Sequence, residues 1–380
     1  MEQYFIHMLH NNLTNPLNPT NPTNPTNPMT ISVEKNPGEE WDNFVCHHPQ
    51  GTIYHTTNWM NVIEQSFKHI SVQIITIRND QNKIVAGLPI YLVDSWITGR
   101  RLVSAPFASI FDPLINNETE MDTILNMAKN MFKENRCHYL EIRTLQNSHF
   151  IDNKPFLRLN SYKYHYLKLV EPDKLKKTFS RTSVRQPIKR SLKYGLLIKM
   201  GQNEAALKTF YKIYTGTRKY LGLPVQPFEF FKNLFDSLSP MNAISLFLAQ
   251  KDGDTIAALI AFKYKNRFSL EYSGYNPNYL KLYPNHFLYW HAIMLAYNEG
   301  YKIFDFGRTA VSNHGLMFFK KRWGTKVEDL PNFYYPSSYA IKKNCNRESS
   351  LQYKLVRKVL RHSPMIVSKI ISGLIYKHLG

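Results

Sequence analysis

The chain has 380 residues, 43% of them hydrophobic and 14% aromatic, enough apolar material for a large core divided between two domains. With 48 Lys and Arg against 28 Asp and Glu, its formal net charge is +20. That excess suits nucleic acid, nucleotide-linked substrates or an anionic membrane face; the competing explanation is a Lys- and Asn-rich, AT-biased composition. Cys46, Cys137 and Cys345 lie far apart, which argues against a disulfide framework or a cysteine metal site.

The start, MEQYFIHMLH, has neither a basic nor an apolar signal-peptide region, so a cytoplasmic location is expected. No run reaches the ~18 uninterrupted apolar residues of a membrane span. Residues 1–29 are dominated by NPLNPTNPTNPTNP, whose prolines remove donors and disfavour helix. This segment reads as a disordered tail, with Met1 and Met29 as alternative starts.

Globular signals begin at Trp41. WMNVIEQSF (59–67) has helical apolar spacing, and residues 72–93 read as a hairpin turning at NDQN. Residues 121–136 predict an amphipathic helix, followed by a strand ending in Arg143-Thr144. The same order recurs later in the chain. Residues 243–264 form a hairpin turning at Asp252-Gly253, and 268–275 a strand. Residues 286–300 form a helix with Asn285 as its expected N-cap, and 301–309 a strand ending in Arg308-Thr309. Two strand-Arg-Thr endings at nearly the same offset as the two hairpins point to an internal duplication.

Between the copies, residues 174–199 carry Arg185, Lys189, Arg190 and Lys193 near helical spacing with no acid after Asp173. This is a solvated face or a surface for a phosphorylated substrate. The ending, residues 346–380, has two basic helical stretches split by Pro364. Val367, Ile370, Ile371, Leu374 and Ile375 make an apolar stripe flanked by Lys354, Arg357, Lys358, Arg361, Lys369 and Lys377. Such a segment either packs on the body of the protein or lies on an anionic bilayer.

No nucleophile elbow, P-loop, zinc-protease helix or metal-ligand spacing is present in the sequence. The densest chemistry is FDFGRTAVSNHGLMFFKKRWG (304–324), an acid, an arginine and a basic cluster past a strand. This stretch resembles the signature of the FemAB-like acyltransferases, in the BioF2-like, double-domain branch of the GNAT N-acetyltransferase superfamily. TIYHTTNWMNVIEQSF, GLPIYLVDSWITGRRLVSAPFASIFDP, RTSVRQPIKRSLKYGL and TRKYLGLPVQPFEFFKNLFDSL are similar to further pieces of that family, in the family's order. HSPMIVSKIISGLIYKHLG resembles the ending of its exopolysaccharide-associated subgroup.

The resemblance implies an α/β chain of two tandem GNAT-like domains, 41–165 and 166–345, each a mixed sheet flanked by helices. It implies transfer of an acyl or aminoacyl group to an amine of a glycan or peptide cell-envelope precursor. The donor would be acyl-CoA or aminoacyl-tRNA, with no metal and no stable protein partner. Lys320 matches the family's transfer-site lysine. Arg308, Lys321 and Arg322 would meet phosphates, as would Arg185, Lys189 and Arg190 on the acceptor side. Trp323 would wall the cleft or stack on a base or sugar, with Asn285 on the cofactor side. Asp305 would orient Arg308 or lie in the sheet as a structural acid, and Glu271 and Tyr272 would serve as base and acid. The loop NPNYLKLYPN departs from the family's acetyl-CoA users in lacking a Gly-rich pyrophosphate turn. The alternative readings are a nucleic-acid-binding protein with a basic aromatic surface and an inactive membrane-peripheral scaffold.

Overall fold

A computed structural model describes residues 29–96, 99–104, 106–338 and 351–376. The Asn-Pro-Thr tail before residue 29, Cys345 and Lys377 lie outside the described residues. In chain order the elements are β1 (Thr30–Glu34), α1 (Glu39–His47), α2 (Thr57–Ser66), β2 (Ile70–Arg78), β3 (Ile84–Val93), β4 (Arg101–Val103), α3 (Glu118–Glu134), β5 (Tyr139–Arg143) and β6 (Leu157–Lys168). Next come α4 (Pro172–Thr178), α5 (Gln186–Lys193), β7 (Leu197–Gly201), α6 (Glu204–Leu221), α7 (Phe228–Leu238), β8 (Ile244–Lys251), β9 (Asp254–Tyr264) and β10 (Arg267–Tyr275). The remainder is α8 (Pro284–Asn298), β11 (Ile303–Ala310), α9 (His314–Arg322), β12 (Lys326–Tyr335), α10 (Leu351–His362) and α11 (Met365–Tyr376).

Local chemistry accounts for many of these boundaries. The Asn203 side chain caps α6 by accepting from Ala206 N, and Gly222 ends that helix in the left-handed region. Asn117 caps α3 in the same way through Glu120 N. The hairpin turn at Asp252-Gly253 uses two positive-φ residues. β9 reads as an almost continuous apolar run because both of its faces are covered.

Among the described residues the strands form one 12-stranded sheet in the order β1-β2-β3-β4-β5-β12-β6-β11-β10-β9-β8-β7. Reading inward from either edge, the pairings repeat. Both halves have antiparallel outer strands and one parallel pair, β4–β5 on one side and β10–β11 on the other. The two central strands are exchanged. β6 follows the first half in sequence but pairs with β11, and β12 follows the second half but pairs with β5. Arg143 therefore faces Asn332 on β12, and Arg308 faces Tyr164 on β6.

Two cores cover the sheet. The larger includes α1, α2 and α3 together with Phe210 and Tyr214 of α6 and Phe230, Phe231 and Leu234 of α7. The smaller lies under α4, α5, α8 and α9. Alternate residues of β9 feed each: Ala258, Ile260 and Phe262 the first, Ala257, Leu259 and Ala261 the second.

The basic ending packs back on the body. Leu360 and Tyr376 are buried, Arg357 and Arg361 donate to the carbonyls of Leu221 and Tyr220, and Tyr376 stacks near Phe67 and Phe107.

The exchange makes β12 common property of both halves. Phe333 on β12 is fully buried. Phe333→Ala should cost about 3–5 kcal/mol and shift one cooperative melt, monitored by calorimetry. Two resolved transitions, only one of them displaced, would show that the exchange does not couple the halves.

Candidate active site

The β10–β11 parallel ladder is short. It pairs Arg267 with Ile303, Phe268 with Phe304 and Ser269 with Asp305, and goes no further. Immediately beyond, each strand slips by one residue against its antiparallel neighbour. β10 slips between Leu270 and Tyr272, and β11 between Asp305 and Gly307. Glu271 and Phe306 are the extra residues. Bulges bend strands and re-aim side chains, so two of them side by side part the pair. Gly307 takes φ +69°, and a Cβ there would sit 3.1 Å from Ser109 Oγ.

The opening collects charge in a dry place. Asp305 is fully buried; its Oδ1 accepts from Gly307 N at 2.6 Å, and its Oδ2 accepts from Arg267 Nη1 at 3.2 Å and from Ser269 Oγ at 3.5 Å. Arg267 also donates to the Tyr164 hydroxyl. Glu271 accepts a hydrogen bond from the Tyr54 hydroxyl, contributed by a turn far away in sequence. Burial pushes the Glu271 carboxyl up to about 8, with nearby Asp305 adding to the rise. From α9, buried Lys320 reaches the Gly307 and Arg308 carbonyls at 3.1 and 3.0 Å. Burial pushes its ammonium down to about 8, while Asp305 and Glu271 pull the other way. A carboxylic acid and an ammonium poised near neutrality thus share the same opening, the pattern expected of acid–base catalysts.

A cavity of about 380 Å³ adjoins this network. Gln50, Tyr54 and Asp112 line it from the first half, and Lys265, Arg267 and Ser269 from the second. Arg308 is half-buried at the other side, its guanidinium 4.7 Å from the centre of the Tyr162 ring. Arg143 is close enough for Arg308 to lower its affinity for a proton, although burial is the larger cause.

The structure therefore brings together Glu271, Asp305, Arg308 and Lys320. Several expectations need correction. Of the two readings of Asp305, the structure favours the structural acid in the sheet: it pairs with Arg267 and does not orient Arg308. Lys320, the match to the transfer-site lysine, is buried. Trp323 is fully buried and packs against Phe179, His286, Tyr289 and Phe306, so it stacks on core rings and not on a ligand. Tyr272 falls on the far side of the Glu271 bulge, among Tyr214, Phe230, Phe231 and Phe262, which makes it a core residue and not the acid. Asn285 does not cap α8: that position belongs to Tyr283 in the left-handed region, and Asn285 follows Pro284 inside the helix.

Lys321 and Arg322 are exposed in the last turn of α9, where cations complement the helix dipole. Arg185, Lys189 and Arg190 are exposed along α5 and the turn before it; Arg190 donates to the Tyr283 hydroxyl at 3.1 Å, beside the start of α8. Tyr54, Arg267 and Tyr164 were not singled out from sequence. The alternation Arg267, Ser269, Glu271 places three polar side chains on one strand face and was the available signal.

The raised Glu271 pKa has a stability consequence with a defined sign. An unfolded glutamate ionises near 4.5, whereas the folded one holds its proton to about 8. The native state therefore binds the extra proton in that window, and stability falls as pH rises through it. Urea melts of wild type and Glu271→Gln at pH 5 and pH 8 should show the variant gaining relative stability at the higher pH. An equal difference at both pH values would contradict the shift.

No curated protein sequence matches the chain. The acetyltransferase (GNAT) domain family matches residues 179–321, a span that contains α5, β10, β11 and α9. Among solved structures the chain is similar to FemX, with 15% identity and a TM-score of 0.66 over 82% of this chain and 99% of that one. It is also similar to the C-terminal DUF2156 domain of a lysylphosphatidylglycerol synthetase from Agrobacterium fabrum, at 12% identity and TM-score 0.55 over 80% and 94%. A tandem GNAT protein from the clavulanic acid biosynthesis pathway gives 11% identity and TM-score 0.53 over 81% and 98%. Among the described residues there is no group of His, Cys, Asp or Glu suited to a metal ion. Residues 179–321 thus match the acetyltransferase (GNAT) domain family, and the chain has a fold similar to that of FemX and of a tandem GNAT protein.

Proposed function

We propose that the chain moves an acyl or aminoacyl group from acyl-CoA or aminoacyl-tRNA to an amine of a cell-envelope or exopolysaccharide precursor, on the cytoplasmic side. The observation that carries this reading is the opening between β10 and β11, where Glu271 and Lys320 sit together with displaced proton affinities. The amine nitrogen attacks the donor carbonyl as its proton passes to the Glu271 carboxylate. The developing oxyanion meets the Lys320 ammonium. The C–N bond forms, the bond to the carrier breaks, and the departing thiol or ribose hydroxyl takes its proton from Lys320. Tyr54 holds the carboxyl of Glu271, and Asp305 with Arg267 holds the strand end from which Gly307 presents its carbonyl to Lys320.

Both co-substrates are polyanions, and the surroundings suit them. Arg308 is the half-buried cation next to the opening. Lys321 and Arg322 extend the positive charge along α9. Arg185, Lys189 and Arg190 supply a basic rim near the start of α8. The Pro277–Leu282 turn between β10 and α8 contains no glycine, which favours a carrier other than CoA. In this reading the residues of 166–345 supply the acid–base pair, and those of 41–165 supply Tyr54, Gln50 and Asp112 to the cavity wall.

Transfer to a panel of amine acceptors should follow a bell-shaped pH profile centred near 8, because Glu271 must lose a proton while Lys320 keeps one. Glu271→Gln should lose ~10²-fold or more in rate together with the ascending limb. Lys320→Met should lose a similar factor and also cost about 1–3 kcal/mol of stability, because two buried carbonyls lose their donor. Lys321→Ala should stay near wild type in kcat. Full activity in Lys320→Met with an unchanged pH profile would remove Lys320 and this mechanism.

A further inference from the structure

The helix α11 is inside out for a protein in water. The face it turns to the body carries Ser368, Ser372 and Tyr376, all buried, and the two serine hydroxyls have no partner among the described residues. The face it turns outward carries Val367, Ile370 and Leu374, which are 41%, 60% and 56% exposed. These positions share one side of a helix, at i, i+3 and i+7. A helix stabilised only by packing on its own protein would bury the aliphatic residues and expose the serines.

The orientation is held firmly. Arg357 and Arg361 of α10 hydrogen-bond the last carbonyls of α6, at 3.0 and 3.1 Å. Gly222 lets the two backbones meet: a Cβ there would fall 2.4 Å from the Arg357 carbonyl oxygen. Lys369 lies 5.4 Å from the centre of the Tyr211 ring, and Tyr376 packs beside the stacked Phe67 and Phe107 rings. Rotation of α11 to bury its apolar stripe would unseat the Lys369 and Tyr376 contacts.

We infer that the outward face of α11 docks flat on an anionic lipid bilayer, with Val367, Ile370 and Leu374 entering the acyl boundary. Charge selects this occupant over a second copy of the chain. From Ser349 to Gly380 the sequence holds Lys354, Arg357, Lys358, Arg361, Lys369 and Lys377 and no Asp or Glu. Two such tails facing each other repel, whereas anionic headgroups attract them. Lys358 and Arg361 are exposed on the adjoining helix, at hand for headgroup phosphates. α11 has 12 residues, and no helix among the described residues is long and apolar enough to cross a membrane, so the contact is interfacial. This inference is independent of the transfer chemistry and is read without an activity assay.

The test is sedimentation of the full chain with phosphatidylcholine vesicles, with and without phosphatidylglycerol. Thermal melts and the solution mass are recorded in parallel. Wild type should bind the anionic vesicles, bind neutral ones about tenfold less, and release in high salt. Ile370→Asp combined with Leu374→Asp should lose about tenfold or more of the anionic binding with the melt unchanged. Lys358→Glu should weaken binding without touching the apolar stripe. Equal vesicle binding by wild type and the double aspartate variant would overturn the inference. So would a wild-type dimer that the double variant splits while neither protein binds vesicles.

Discussion

At Ser269 and Asp305 the backbone ladder between β10 and β11 stops, because each strand carries an extra residue just beyond that point. The consequences are geometric first. Leu270 still pairs with Ala261 in the smaller core, and Tyr272 with Ile260 in the larger one, so both cores keep their register across the bulge. Glu271 alone is left over. Its carboxyl is pushed into the opening, and Phe306 is the corresponding surplus residue on the facing strand. Gly307 can follow with a left-handed backbone, which places two successive carbonyls in reach of Lys320.

Electrostatics then follows from the geometry. The opening is lined by elements from both halves, and each ionisable group buried there is destabilised by desolvation unless it finds a partner. Asp305 finds Arg267, Ser269 and a backbone N–H, and stays with the fold. Glu271 accepts a hydrogen bond from the Tyr54 hydroxyl, but burial outweighs it and makes the carboxyl's proton hard to remove. Lys320 is satisfied by neutral carbonyls rather than a direct ion pair, and gives up its proton more easily than a surface lysine. Two carboxylates within one opening therefore differ in role through their environment alone, one structural and one poised for proton transfer.

Much of this was legible in the sequence, and the parts that were not share a physical cause. Elements such as residues 244–264 and 284–298 were visible because they are long apolar runs bounded by turn residues, not because of a clear period. Asp305, Arg308 and Lys320 stand in one short strand-loop pattern, and Glu271 on the strand before it, so all four could be named. The exchange of β6 and β12 could not be read, because both are locally ordinary alternating strands and their partners lie more than a domain away. Tyr54 was invisible for the same reason: it meets Glu271 only once the halves share a sheet. Trp323 and Tyr272 misled because aromatic residues beside a basic cluster look the same in sequence whether they face a ligand or a core; a one-residue slip decides, and the bulge after Leu270 made it.

The central claim is that Glu271 holds a proton at neutral pH and releases it near pH 8. Infrared difference spectroscopy of the protonated carboxyl band between pH 6 and pH 9, with Glu271→Gln to assign it, measures this directly. The account predicts a protonated carboxyl band at pH 7 that titrates at about 8 and is absent from the variant. A spectrum in which wild type and variant are alike, with every carboxyl already ionised at pH 6, would contradict it.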